Sequence, residues 1–166
     1  MARRTAAGAD LAEIELIYTT RLREFQRVAA AITGSRDLGC EAVQDGFARA
    51  VHRRAEFRAD GSLAGWLWKI VVSASHDARR RRARGEVAPY ENALRDENLG
   101  ESADHLYVRE VVAGLPERQR LALFLRYYAD LDYAGIAEVL GIAPGTVAAT
   151  LHQAHANVRQ LMGVLR

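Results

Sequence analysis

Residues 131–158 read LDYAGIAEVLGIAPGTVAATLHQAHANV, and the reading of this stretch decides the fold. Asp132 can cap a short helix, YAGIAEVL, because its carboxylate can accept amide hydrogens left open at a helix start. Gly141 suits the left-handed residue that ends such a helix. Three or four residues later a second helix begins, with Val147, Leu151, Ala154, Val158, Leu161 and Leu165 on one stripe. A short helix, a tight turn and a second helix with an apolar rear face make a helix-turn-helix, the unit that seats a helix in the DNA major groove. Between Thr146 and Val158 the second helix holds no Lys or Arg. It can therefore offer DNA only neutral contacts.

Upstream, helical pattern runs from about Leu106 and stops at Gly114-Leu115-Pro116. Pro116 suits the first turn of the next helix, which is expected to bury Leu121, Phe124, Leu125 and Tyr128. Before this lobe lies EVAPYENALRDENLGESADH, residues 86–105, with one Lys/Arg against six Asp/Glu and little apolar periodicity. That composition reads as an acidic flexible linker.

Residues 1–85 carry 16 Lys/Arg against 10 Asp/Glu, so the overall charge of +2 conceals a basic first lobe. Here Ile14, Ile17, Tyr18, Leu22, Phe25, Val28 and Ile32 recur with helical period, and Thr33, Gly34 and Ser35 interrupt them. Asp37 can cap a second helix to about Arg54, with Ala42, Val43, Phe47, Ala50 and Val51 inward. Asp60-Gly61-Ser62 reads as a turn with a capping residue. A third helix then sets Leu63, Trp66, Leu67, Ile70, Val71 and Ala74 on one stripe and ends in ARRRRAR, residues 78–84. Trp66 thus reads as packing, and Trp68, off the stripe, could cover another helix or meet a base. No segment alternates like a strand, so the fold class is all-α: two small helical lobes, 1–85 and 106–166, with a C-terminal helix-turn-helix.

Several function classes are excluded by what the chain lacks. No apolar run approaches the roughly 18 residues of a membrane span, and the basic N-terminus turns acidic before any signal-peptide core. Cys40 is the only cysteine, which removes an internal disulfide and a thiol zinc cluster and points to a reducing cytoplasm. His76-Asp77 could suggest a metal phosphohydrolase, but His52 is the only other candidate ligand in that lobe. His152 and His155 read as surface histidines. With no nucleophile set and no phosphate loop, neither an enzyme nor a cofactor is expected. The arginine run complements a helix C-terminus and also suits a phosphate backbone.

With both lobes described, the chain resembles a bacterial sigma factor of the extracytoplasmic-function group, part of the sigma-70 family. The resemblance covers about residues 11–84 and 106–162. EAVQDGFARAV resembles the helix that binds the polymerase clamp. FRADGSLAGWLWKIVVSASHDARRRR resembles the segment that reads and melts the −10 element, and LPERQR through NVRQLM resembles the −35 reader. The resemblance places Glu41, Gln44, Asp45, Phe47 and Arg49 on the largest polymerase subunit. Phe57, Trp66, Lys69, Ser73, Asp77, Arg79 and Arg80 fall at the −10 strand, and Thr146, Ala149, Thr150, His152 and Gln153 at the −35 duplex.

Implied partners are core RNA polymerase, through its clamp and flap, promoter DNA and an anti-sigma factor, in the cytoplasm. The chain departs from the family pattern at the cap of its last helix, Ala143 and Pro144, and at Ala148, Thr150, Gln153 and His155, where cations are usual. Ser73 stands where the family often has Asn, and Val72 where it often has a basic residue. These departures imply an unusual or weak −35 preference. Two readings from other classes stand beside it: a helix-turn-helix regulator that binds duplex DNA alone, and a sigma-like interaction protein that occupies polymerase without initiating.

Overall fold

The computed structural model describes residues 8–86 and 110–164, which form two compact helical units. The connector beyond Glu86, the start of the helix expected from Leu106, and Leu165 lie outside the described residues. The first unit holds α1 (Leu11–Thr33), α2 (Arg36–His52), a 3-10 turn (Arg54–Glu56) and α3 (Leu63–Ala83). The second opens with a helical turn at 110–113, followed by α4 (Glu117–Tyr127), α5 (Tyr133–Leu140) and α6 (Pro144–Val164). No strand occurs among the described residues, as the sequence predicts.

Side-chain caps set the helix starts. Asp10 accepts the Ala12 amide at 2.9 Å, Ser62 accepts that of Gly65 at 3.0 Å, and Asp132 that of Gly135 at 2.7 Å. For α2 the cap is Ser35, which accepts the Leu38 amide at 3.3 Å, and not Asp37, which falls in the first helical turn. Ser35 can serve because the chain has already reversed at Gly34, whose φ of 71° ends α1 in the left-handed conformation.

The three helices of the first unit meet around an aromatic centre. Phe25 and Trp68 stack with centroids 3.9 Å apart, and Phe47 meets Phe25 edge-on at 5.0 Å and Tyr18 at 4.9 Å. Close helix approach is required around this centre. A Cβ at Gly39 would lie 2.6 Å from the Ala30 backbone nitrogen, and one at Gly46 would lie 3.0 Å from the Cα of Val71.

Here the expected stripe of α3 is corrected. Trp68 is fully buried, along with Leu67, Val71, Val72, Ala74, Ser75 and Ala78, whereas Trp66 is half-exposed beside Phe57. A single-sided stripe assumes one neighbour, but α3 packs on both α1 and α2 and so buries a wider face. Val72, at a position that is often basic in the family the chain resembles, is buried in the core.

In the second unit Leu121, Ala122, Leu123 and Leu125 of α4 pack with Ile136 and Ala137 of α5 and with Val147, Leu151 and Ala154 of α6. Phe124 is half-buried and Tyr128 is 41% exposed, so the inward face is again turned from the expected one. Pro116 occupies the cap position, one residue before α4. Gly141, with φ 66°, closes α5, and α5 and α6 meet at 96°, within the range of helix-turn-helix units. No single helix among the described residues is long and apolar enough to cross a membrane.

Replacing Trp68 with Ala should lower unfolding stability by about 3–5 kcal/mol in a denaturant titration. Trp68→Phe should cost much less: it keeps an aromatic ring on Phe25 and removes an indole N–H that has no protein acceptor. Trp66→Ala, at a half-exposed site, should cost less than Trp68→Ala.

Candidate functional site

The outward face of α2 presents Glu41 and Gln44 to solvent, with Asp45 and Arg49 half-buried. Phe47 differs from these four. It is 6% exposed, between Tyr18 and Phe25, and reaches the surface only along a 670 Å³ groove between α1 and α2 that Gln44 and Val51 also line.

Arg49 joins α2 to α3. Its guanidinium donates to Asp45 at 2.6 Å and to Asp77 at 2.9 Å, and the second Asp77 oxygen accepts from Arg80. The Arg49 hydrogen bond, with Arg80 adding to it, holds the Asp77 carboxyl below the usual carboxylate range. Asp77 in turn raises the Arg49 guanidinium above its ordinary value, so both groups are charged at neutral pH. The spacings Asp45/Arg49 and Asp77/Arg80 are legible as same-helix pairs. The cross-helix link between them is not, because it depends on how α2 and α3 are rotated.

Along α3, Trp66, Lys69, Ser73, Asp77 and Arg80 recur at three- and four-residue intervals and share one face, opposite the aromatic core. Phe57, at the end of the 3-10 turn, lies beside this face, its ring 5.5 Å from that of Trp66. The face therefore combines aromatic surface, polar groups and cations, the mixture suited to an unstacked nucleic-acid strand. Arg79 departs from the group: its guanidinium reaches the Ile32 carbonyl at the end of α1, at 3.4 Å, and His76 at 3.3 Å.

The outward face of α6 is small and neutral. Thr146, Ala149, His152 and Gln153 are exposed, and Thr150 is half-buried with its hydroxyl donating to the Thr146 carbonyl at 2.7 Å. Ala143 has no side-chain acceptor for the helix start, and its carbonyl takes the amides of both Thr146 and Val147. Sequence reasoning missed an amide chain. Gln153 donates to Asn157 at 3.0 Å, and Asn157 donates to Gln119 of α4 at 2.8 Å, which ties a candidate reading side chain to the helix behind it. It also missed Tyr127, 65% exposed, whose hydroxyl lies 2.9 Å from the His155 ring. Among the described residues no group of three or more His, Cys, Asp or Glu side chains could hold a metal ion.

A basic helix lobe with an aromatic and cationic face, together with a helix-turn-helix lobe, defines a class of transcription proteins. Residues 17–85 match the family described as Sigma-70 region 2, and residues 105–157 match Sigma-70, region 4. The chain is 27% identical to the ECF RNA polymerase sigma factor SigM of Mycobacterium tuberculosis over 159 residues, covering 95% of this chain and 81% of that one. It is 30% identical to the RNA polymerase sigma-H factor of Pseudomonas aeruginosa over 130 residues, covering 69% and 67%. The fold is similar to that of the sigma factor RpoE from Bartonella quintana, solved in complex with the anti-sigma factor NepR. That match has a TM-score of 0.74 at 22% identity, covering 94% of this chain and 100% of that one. The chain belongs to the sigma-70 family, as an RNA polymerase sigma factor of the extracytoplasmic-function group.

Because the Asp77 carboxyl is held low, its stabilising contribution is complete above the unfolded value of about 3.9 and is lost as pH falls through the lower folded value. Asp77→Asn should therefore destabilise the protein near neutrality by up to about 1 kcal/mol, a figure kept small by partial solvent exposure. The difference from wild type should shrink in acid, as followed by thermal unfolding across a pH series.

Proposed function

We propose that this sigma factor binds core RNA polymerase through the α2 face of Glu41, Gln44, Asp45 and Arg49, reads the −10 strand with the α3 face, and reads the −35 duplex only weakly with α6. The observation that carries the proposal is the contrast between two exposed helix faces. The α3 face offers Lys69 one turn from Trp66 and its Phe57 partner, and Arg80 further along the same helix, whereas the α6 face offers no cation from Thr146 to Val158. Phosphate contacts supply most sequence-independent affinity, so the first lobe and the polymerase would carry the larger share of promoter binding. Of the α6 residues, Gln153 can pair bidentately with adenine, His152 can donate to a base or phosphate, and Ala149 can meet a thymine methyl.

Phe47 supports the α2 surface from inside, and Arg79 supports α3 by holding the end of α1. The acidic connector, 86–105, suits a basic polymerase channel that RNA later fills. An anti-sigma partner belongs to the same proposal, by similarity to the sigma factor solved with NepR. A second reading is favoured by the small residues exposed on α6, Ala148 and Ala149 among them, which permit close approach of another protein.

Purified core polymerase with this chain should initiate at discrete sites in a promoter library, with a shared −10 motif stronger than any −35 motif. Gln153→Ala should relax preference at one −35 base by about 1–3 kcal/mol. Ala149→Arg should strengthen −35 binding and steepen its dependence on log salt by about 0.9 for one added phosphate contact. Loss of a protein partner with Ala149→Arg, and no gain in DNA binding, would support the second reading.

A further inference from the structure

The segment preceding α1 makes a contact that neither its own helix nor the three-helix core requires. Ala9 is buried at 6% exposure, and its backbone N–H donates to the Arg54 carbonyl at 2.7 Å, across to the 3-10 turn that begins the loop between α2 and α3. Gly8 lies flat against the same turn. A Cβ there would overlap the Arg54 carbonyl oxygen and the Ala55 Cα and would sit 2.8 Å from the Arg54 carbonyl carbon. These obstacles are backbone atoms, so a side chain at residue 8 could be accepted only by moving the segment or the turn. On its other side the segment is fixed by the Asp10 cap of α1.

Beyond the Arg54–Ala55 contact, the same loop is strained at Ala59. Ala59 has φ 55°, a left-handed conformation that is disfavoured for a non-glycine residue and that alanine cannot offset with a side-chain hydrogen bond. Local contacts hold the loop at its ends: Arg53 pairs with Glu56 at 2.6 Å, and Phe57 rests on Trp66. Residues 8–9 add a restraint from outside the loop. The loop also carries Phe57 and leads into the Ser62 cap of α3, so its conformation decides where the Phe57 ring stands against Trp66.

We propose that residues 8–9 form a strap that holds the 53–62 loop in its strained conformation, and that Gly8 is a positioning residue for recognition of the −10 strand by Phe57 and Trp66. The inference rests on the reading of Phe57 and Trp66 as −10 contacts. It assigns a part in promoter selection to a segment that touches neither DNA nor polymerase in that reading.

The test uses the full chain with core polymerase on a promoter library randomised across the −10 element, comparing wild type, Gly8→Val, Gly8→Val with Ala59→Gly, and Phe57→Ala. Gly8→Val should flatten −10 base preference by about tenfold at the positions most affected by Phe57→Ala, while polymerase retention is unchanged. Adding Ala59→Gly should restore part of that preference, because glycine enters the left-handed region without the alanine penalty. A merely structural role for Gly8 would lower stability without producing this rescue. Hydrogen exchange on the wild-type chain needs no variant to fold: the Ala9 amide and the amides of 54–57 should open together, more readily than the α3 core. Unchanged base preference in Gly8→Val, or independent exchange of the two segments, overturns the strap. If Phe57→Ala itself leaves −10 preference unchanged, the underlying reading fails and the strap's role in recognition falls with it.

Discussion

The stack of Phe25 on Trp68 sets the rotation of α3, and most of the first lobe's surface chemistry depends on that rotation. A tryptophan buried this deeply removes roughly 150–250 Å² of aromatic surface from water, and the Phe25 ring on which it stacks is itself held edge-on by Phe47, which meets Tyr18 in turn. With Trp68 inward, Trp66, Lys69, Ser73, Asp77 and Arg80 must face outward, because residues at three- and four-residue intervals share a face. Turning α3 by two residues' worth of angle would bury Trp66 and expose hydrophobic core. The same rotation brings Asp77 to Arg49, so the ion chain from Asp45 to Arg80 is a consequence of the aromatic packing as well as a brace upon it.

The second lobe rests on a different constraint. Its cap at Asp132, its left-handed Gly141 and the 96° bend fix α6 through backbone geometry and a modest apolar core. The outward face of α6 takes no part in that core, and in this chain it carries small neutral residues. The amide chain through Gln153, Asn157 and Gln119 couples that face to α4. The Asn157 contact uses one of the two hydrogens on the Gln153 amide nitrogen.

The sequence made the helices, the Ser62 and Asp132 caps, the helix-turn-helix and the two-lobe organisation legible, because each leaves a local signal in period or turn chemistry. It misassigned the cap of α2, where Ser35 and Asp37 compete and only the path of the chain after Gly34 decides between them. It read Trp66 as packing on the core stripe, where the structure half-exposes it, and left Trp68 open between covering another helix and meeting a base, of which the first holds. A helix with two packing partners buries more than one stripe, and which residues lie at the edge depends on neighbours far away in sequence. For the same reason the spacing of Asp45 and Arg49 was visible, but the bond from Arg49 to Asp77 was not. Gly8 and Ala9 carry no local signal of their contact, since the partner of Ala9 lies 45 residues further on, at Arg54.

Trp66 and Trp68 are the chain's two tryptophans, so their accessibility can be measured one at a time. Acrylamide quenching of intrinsic fluorescence in the Trp68→Phe and Trp66→Phe variants tests the rotation of α3 most directly. Trp66, left alone in Trp68→Phe, should be quenched readily, and Trp68, left alone in Trp66→Phe, should be strongly protected. Protection of Trp66 together with free quenching of Trp68 would contradict the account, because the face assigned to the −10 strand would then point into the core.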